Sequence, residues 1–338
     1  MWNEERLDAM LSAPSAALIG EMNAIQGDIM ILGAGGKVGP SLSLMAKRAV
    51  EASGGTNRVI AVSRFSDPMV VSLLKENGVE MISADLSDPA QVSALPKVPN
   101  VIYMAGRKFG TSGAACQTWA MNVAVPTLVI HHFQAARYVV FSTGNVYAQT
   151  PLHRGGSREG DSPEPIGEYA MSSLGRERVF EYAAQVYGAK ALIYRLNYAV
   201  DLRYGVLCDI SNRILSDEPV DVGMPLFNCV WQGYANEVAI RALLRADNPV
   251  RYLNVTGPET VSVRATAQRL GELLGKTPTF SGTEGDRALL SNASACIREF
   301  GYPQVGVDQM MSWQAEWLTA GGRQLGKPTH FEERKGNF

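Results

Sequence analysis

One segment constrains this chain more than any other. Asp28–Gly33 is a short apolar run of strand length. The connection Gly33-Ala-Gly-Gly36-Lys37-Val38-Gly39 follows it, and Ser41–Ala52 then carries Leu42, Met45, Ala46, Ala49 and Val50 at helical spacing. A glycine-rich connection between a strand and a helix points backbone N–H groups and the positive end of the helix dipole at whatever approaches. A side chain at the closest positions would block a pyrophosphate, so glycine is required there. The other reading of the segment is a plain structural turn. A nucleoside-triphosphate loop fits poorly, because Gly36-Lys37 is followed by Val38 rather than Ser or Thr and position 31 is Ile.

The same alternation continues for about two hundred residues. Arg58–Ser63, Val79–Ser83, Asn100–Ala105, Tyr138–Ser142 and Ala191–Arg195 are apolar runs separated by helical patterns. Continuous apolar strands with helical crossovers imply a parallel sheet covered on both faces. The fold class expected is α/β, a Rossmann-type doubly wound parallel sheet with a smaller C-terminal substrate-binding subdomain. Residues 1–27 read as an extension made of one amphipathic helix, 28–197 as the dinucleotide-binding domain, and 198–320 as the smaller subdomain, partly interleaved with the sheet. In the latter, Arg251–Val255 reads as a strand and Arg264–Leu274 and Gln309–Leu318 as helices. Residues 321–338 read as a surface arm. The second strand ends at Ser63-Arg64. A carboxylate there would bind the adenosine ribose of NAD, whereas an arginine can pair with the 2′-phosphate of NADP; the expectation is NAD(P), leaning to NADP.

Composition narrows the function classes. The net charge is −2 over 338 residues, so no basic surface advertises nucleic acid. No apolar run reaches the roughly 18 residues of a membrane helix, and the N-terminus lacks the basic-then-apolar order of a signal peptide. Cys116, Cys208, Cys229 and Cys296 are scattered, with no CxxC, which fits reduced thiols in a cytoplasmic protein. His131 and His132 are adjacent but no metal-ligand spacing is present, and no metal site is expected.

Further landmarks fall in order, and with them the chain resembles the extended short-chain dehydrogenase/reductase family, the NAD-dependent epimerase/dehydratase group. Gly33, Gly36 and Gly39 match its glycine motif. Asp85-Leu86 matches the acidic pair at the adenine, Ala105-Gly106 the small-residue turn after the fourth strand, and Asn122 the asparagine of its N-V-x-G-T helix. Phe141–Tyr147 is similar to the segment that carries the catalytic Ser or Thr, here Thr143. Tyr169 stands where the family's YxxxK tyrosine falls, Glu177 fits eight residues on, and Arg195-Leu-Asn197 resembles the end of the sixth strand.

Three positions depart from the family. Ser173 replaces the motif lysine. Gly144 and Asn145 stand where the sugar-nucleotide dehydratases carry Asp-Glu, so elimination lacks its acid and base. Ala199-Val-Asp201 replaces a Y-G-P.

The resemblance implies hydride transfer between a nicotinamide and a sugar or sugar-like carbinol, in a dehydrogenase, reductase or epimerase. Tyr169 would exchange the proton, Thr143 would align the oxygen, and Ser173 would stand at the lysine position. Gly33, Gly36, Lys37, Val38, Gly39, Ser63, Arg64, Asp85, Leu86, Ala105, Gly106, Asn122 and Asn197 would bind the cofactor. A homodimer through the helices Thr118–Gln134 and Tyr169–Tyr187 is implied as well, with Val123, Val125, Leu128, Val129 and Phe133 supplying apolar surface. The alternative is a protein that senses the cofactor without turnover, which the loss of the lysine keeps open. An unaided tyrosine has a pKa of about 10, so alcohol oxidation is expected to rise toward alkaline pH.

Overall fold

The computed structural model describes residues 2–108 and 113–336. Its centre is a seven-stranded parallel sheet: β1 (Ile29–Leu32), β2 (Val59–Ser63), β3 (Glu80–Ser83), β4 (Asn100–Tyr103), β5 (Arg137–Thr143), β6 (Lys190–Leu196) and β7 (Arg251–Val255). The spatial order is β7-β6-β5-β4-β1-β2-β3. The chain winds outward in one direction from β1 and then, from β4, in the other. The strand order therefore reverses between β1 and β4, and the carboxyl ends there open the crevice in which doubly wound sheets bind ligands. Register is continuous across this point, with Ile29 opposite Asn100 and Leu32 opposite Tyr103.

Alternate residues of β1 face opposite layers, as the two-residue period of a strand requires. Ile29 and Ile31 pack with Leu42, Met45 and Ala49 of the Gly39–Ala52 helix. Met30 and Leu32 pack with Tyr103, Tyr138 and Phe180 on the other face. A third core, built on Val206, Leu207, Ile210, Leu270 and Trp317, belongs to the C-terminal subdomain.

Both ends of the chain differ from the sequence expectation. The N-terminal extension is two helices, Glu4–Leu11 and Ala16–Met22. Pro14 interrupts the pattern between them, and Ser15 caps the second helix by accepting from the N–H of Leu18 at 3.2 Å. The two helices serve different cores. Leu7 and Leu11 join the C-terminal subdomain, whereas Leu18 and Met22 pack under the sheet. The C-terminal arm is no plain surface segment either. Thr329 and Phe331 are buried, and Arg334 donates to the carbonyl of Gly223 at 2.9 Å.

The helical region after β4 also carries a detail that sequence periodicity does not reveal. Ala115–Trp119 and Val125–His132 are α-helical, but Ala120–Ala124 between them is a π turn. Asn122 lies in that turn and is buried. Such single π turns recur at functional sites, where they reposition a side chain. No helix among the described residues is long and apolar enough to cross a membrane.

Candidate active site

Three of the four glycines of the first connection are set apart by what a side chain there would meet. A Cβ on Gly33, whose φ is +93°, would lie 2.6 Å from the backbone nitrogen of Ala105. Gly33 thus lets β1 and the turn after β4 close on each other. A Cβ on Gly39 would lie 2.3 Å from the carbonyl oxygen of Ala34, so this glycine seats the helix against the strand end. Gly36 is different. Its Cβ would meet only the carbonyl of Gly33, at 3.4 Å, and it faces a cavity of about 880 Å³. Two glycines are there for the protein's own packing and the third leaves room for a visitor. That cradle at a helix N-terminus fits a pyrophosphate.

The cavity runs from Gly33, Gly36, Lys37 and Val38 to the ends of β5 and β6, where Thr143 and Asn197 stand, with Gly106 and Tyr169 along it. These eight of the expected site residues are brought together. The others stand outside the cavity wall. Ser63 backs the loop, since a Cβ on Gly35 would come within 2.6 Å of its Oγ. Ala105 meets Gly33. Arg64 is exposed. The carboxyl of Asp85 is held below its ordinary range by hydrogen bonds from the Ser87 hydroxyl and backbone N–H, with a smaller contribution from Arg64. Leu86 is a core residue.

Asn122 acts as a tie. Its Oδ1 accepts from the N–H of Arg107 at 2.8 Å and from Arg176 Nη2 at 2.6 Å, while its Nδ2 donates to Ser172 Oγ at 2.9 Å. It thereby fixes the loop after β4 to the helix Gly167–Tyr187 that carries Tyr169. Arg176 also donates to the carbonyl of Phe141 at 2.8 Å. Gly106 makes room for that guanidinium, because a Cβ there would meet Nη2 at 2.4 Å.

A buried ion pair fixes the same helix from below. Glu177 binds Arg195 through Oε1–Nε at 2.9 Å and Oε2–Nη2 at 2.6 Å, and Ser142 Oγ donates to Glu177 Oε1 at 2.5 Å. Paired and fully hydrogen-bonded, these charges hold β5, β6 and the tyrosine helix in one register. Thr143 is the next residue after Ser142. Its hydroxyl donates to Asn145 Oδ1 and accepts from the Asn145 N–H, both at 3.2 Å.

Ser173 is buried, and among the described residues its hydroxyl has no hydrogen-bond partner. The position thus holds a small polar group where the resemblance places a lysine. Gly144 is equally closed. A Cβ there would meet Ser291 Oγ at 2.9 Å and Asn197 Oδ1 at 3.1 Å. No carboxylate can be accommodated at 144 without displacing both.

Sequence reasoning named Lys37 in the glycine loop but missed Lys108 and Lys327, which line the same cavity. Lys108 reaches over the ring of Tyr169, with Nζ 5.8 Å from its centroid, and donates to the carbonyl of Thr329 at 3.1 Å. Lys37 Nζ lies 3.3 Å from the centroid of Tyr204. Lys327 comes from the C-terminal arm, and all three lysines line the cavity. Burial, reinforced by Lys108 and Lys327, lowers Lys37 to about 7. Burial lowers Lys108 to about 8, against the pull of Asp209. Asp209 itself accepts from the N–H and hydroxyl of Thr329 through Oδ2, at 2.7 and 2.5 Å. No local pattern marks Lys108 or Lys327, which meet Lys37 only through the fold. Glu4 and Asp8 of the first helix also line the cavity, both paired with Arg203.

Comparison with known proteins agrees with this architecture. The model of the NAD dependent epimerase/dehydratase family matches residues 29–200. The chain belongs to that family. Among solved structures it is similar to a UDP-glucose 4-epimerase from Thermotoga maritima with UDP-glucose, at 18% identity and a TM-score of 0.72. The alignment covers 87% of this chain and 99% of that one. MoeE5 in complex with UDP-glucose and NAD aligns at 21% identity and a TM-score of 0.70, with the same coverage. A UDP-glucuronic acid 4-epimerase from Bacillus cereus in complex with NAD aligns at 15% and 0.70, again over 87% and 99%. At these identities the likeness speaks for the fold. No curated protein sequence matches the chain.

Proposed function

We propose that this protein is an NAD(P)-dependent oxidoreductase or epimerase acting on a sugar or sugar-like hydroxyl or keto substrate. The observation that carries the reading is that Thr143 and Tyr169 line the same cavity as the open glycine Gly36. When bound there, a nicotinamide dinucleotide supplies the hydride acceptor or donor. The glycine loop holds its pyrophosphate. Tyr169 gives or takes the proton on the substrate oxygen, and the Thr143 hydroxyl orients that oxygen. Dehydration is excluded from the proposal, since the space at Gly144 is filled and Asn145 is neutral.

Two finer points belong to the same reading. Arg64, exposed at the end of β2, favours the 2′-phosphorylated cofactor, although the solved relatives are described with NAD. A homodimer is supported by exposed apolar side chains on and beside the two expected helices: Trp119, Ile166, Met171, Tyr182 and Val186. These differ from the residues that sequence suggested, because Val125, Val129 and Phe133 are buried in the subunit's own core. A cytoplasmic location is supported by four cysteines that are all free thiols.

Ser173 favours a second reading, a cofactor sensor without turnover. The experiment that separates the two is titration with reduced nicotinamide cofactor, followed by absorbance assays over a panel of sugars and sugar acids across pH. The enzyme reading expects oxidation that climbs toward alkaline pH and is lost in Tyr169→Phe. Tight cofactor binding with no turnover on any member would leave the sensor; an unchanged rate in Tyr169→Phe would remove that residue from the chemistry.

A further inference from the structure

We infer that Arg176 is a fixed buried charge on the nicotinamide side of the cavity, and that it makes the site hold the reduced cofactor more tightly than the oxidised one. The inference rests on the functional reading above and concerns the direction in which that site drives hydride.

Arg176 stands on the helix Gly167–Tyr187 and lines the cavity, yet it is only 6% exposed. Its hydrogen bonds run to neutral oxygens, the Phe141 carbonyl at 2.8 Å and Asn122 Oδ1 at 2.6 Å. Among the described residues its Nε has no hydrogen-bond partner, and no carboxylate forms an ion pair with the guanidinium. The neighbouring Glu177 is engaged by Arg195 and Ser142. Five carboxylates line the cavity, those of Glu4, Asp8, Asp67, Glu76 and Asp201, and all come from other elements. Three of them, Glu4, Asp8 and Asp201, pair with Arg203. The Tyr103 ring lies 6.0 Å from the guanidinium, and burial keeps that phenol neutral.

An arginine cannot escape burial by losing its proton, and a buried charge without a counter-ion costs stability. A chain selected for stability alone would place a neutral side chain here, or a carboxylate beside it. Groups stressed in this way gather at functional sites. The guanidinium is held at Phe141, two residues before Thr143 on β5. In the proposed reading the glycine loop takes the pyrophosphate, so the part of the cofactor that meets Thr143 and Tyr169 is the nicotinamide. That ring is positively charged when oxidised and neutral when reduced. A fixed cation repels the first and spares the second. A site that prefers the reduced form makes the bound cofactor a stronger oxidant. It favours the step in which hydride leaves a carbinol carbon for the nicotinamide, the hydroxyl proton passes to ionised Tyr169, and a carbonyl remains.

The rival role for Arg176 is a clamp, on the pyrophosphate or on the protein's own loops. The test is calorimetry of the full chain with NAD+ and with NADH, and with NADP+ and NADPH in parallel. At pH 9, Lys37 and Lys108, lowered to about 7 and about 8, add little charge of their own. The unmodified chain should bind the reduced form roughly tenfold or more tighter. Each tenfold raises the potential of the bound two-electron couple by about 30 mV. Arg176→Met should cut the preference roughly fivefold or more, and Arg176→Lys should keep most of it. Asn122→Asp sets a carboxylate against the intact guanidinium and should shift the ratio in the same direction as Arg176→Met, which decides the matter if the latter does not fold. The ratio is taken within one variant, so a loss common to both forms cancels. Equal affinity for the two forms in the unmodified chain overturns the inference. So does an unchanged ratio in both Arg176→Met and Asn122→Asp, because the arginine is then a clamp. Binding of neither form is a different outcome, which strikes the functional reading and takes the inference with it.

Discussion

Two parts of the cavity wall present charge by opposite means. At the glycine loop the helix Gly39–Ala52 begins beside the cavity, and the key residue, Gly36, contributes no side chain. Where Lys37, Lys108 and Lys327 line the cavity the charge is all side chain, and Lys37 itself belongs to the glycine loop. Backbone recognition is rigid, keeps its charge at every pH and is written locally. Side-chain recognition titrates, and exists only once the C-terminal arm has crossed the cleft. In the proposed reading the backbone part serves a constant cofactor and the side-chain part suits a particular substrate.

The contrast breaks most sharply within the glycine loop itself. Gly39→Val forces a Cβ against backbone at 2.3 Å. It should lose about 3 kcal/mol of stability or more, with Tm lower by about 5 °C or more. Gly36→Val, whose φ lies outside the left-handed region, should leave Tm nearly unchanged and weaken NADH by roughly a hundredfold, the equivalent of two charge-assisted hydrogen bonds. Thermal melts and calorimetry on the two variants check the pair. Similar Tm losses in both would deny Gly36 its separate role.

The lysine end should show itself as a pH dependence of stability. Burial, reinforced by Lys108 and Lys327, lowers Lys37 to about 7 in the fold, against 10.5 for a free lysine side chain. Between those values the unfolded chain keeps a proton that the folded chain has released, so the contribution to stability rises with pH. Lys108 acts with the same sign above about 8. Lys108, Lys327 and Asp209 are the charges that set this behaviour of Lys37. In melts from pH 6.5 to 9, Lys37→Met should lose its advantage over the unmodified protein steadily as pH rises. A constant difference would mean that Lys37 is not perturbed.

The smallest expected effect is at Arg64. Arg64→Ala should weaken NADP roughly tenfold and NAD by less than about twofold. Equal losses would show that this exposed side chain does not read the 2′-phosphate.

Much of the fold was legible because parallel strands buried on both faces advertise themselves. Asp28–Gly33, Arg58–Ser63 and Tyr138–Ser142 were found within a residue of their observed limits, and the glycine loop followed from its flanks. The break in the N-terminal extension was legible in principle, from Pro14 and the capping Ser15. The arm was not. Its Gly, Lys and Glu content reads as solvated, and only the presence of Gly223, Asp209 and Arg203 elsewhere in space gives Arg334, Thr329 and Leu325 their partners. Periodicity could place Asn122 on a helix, but not show that a π turn aims it at Arg107 and Ser172. Lys108 looked like any loop lysine, because its role depends on residues more than sixty positions away.

The packing of Trp2 carries a consequence for how the protein comes into being. Its indole N–H donates to Glu316 Oε2 at 2.8 Å, across 314 residues of sequence, and its ring meets Trp313 and Trp317 edge-on at 5.6 and 6.4 Å. During synthesis the first helix emerges long before the surface it must cover. Forming such a contact waits on closing nearly the whole chain into a loop, a late and entropically expensive event. Until the ribosome has delivered the final helix, the amino terminus has no home and the rim of the cleft that carries Glu4 and Asp8 does not exist. Completion of the cleft is thereby tied to the synthesis of the helix Val307–Thr319.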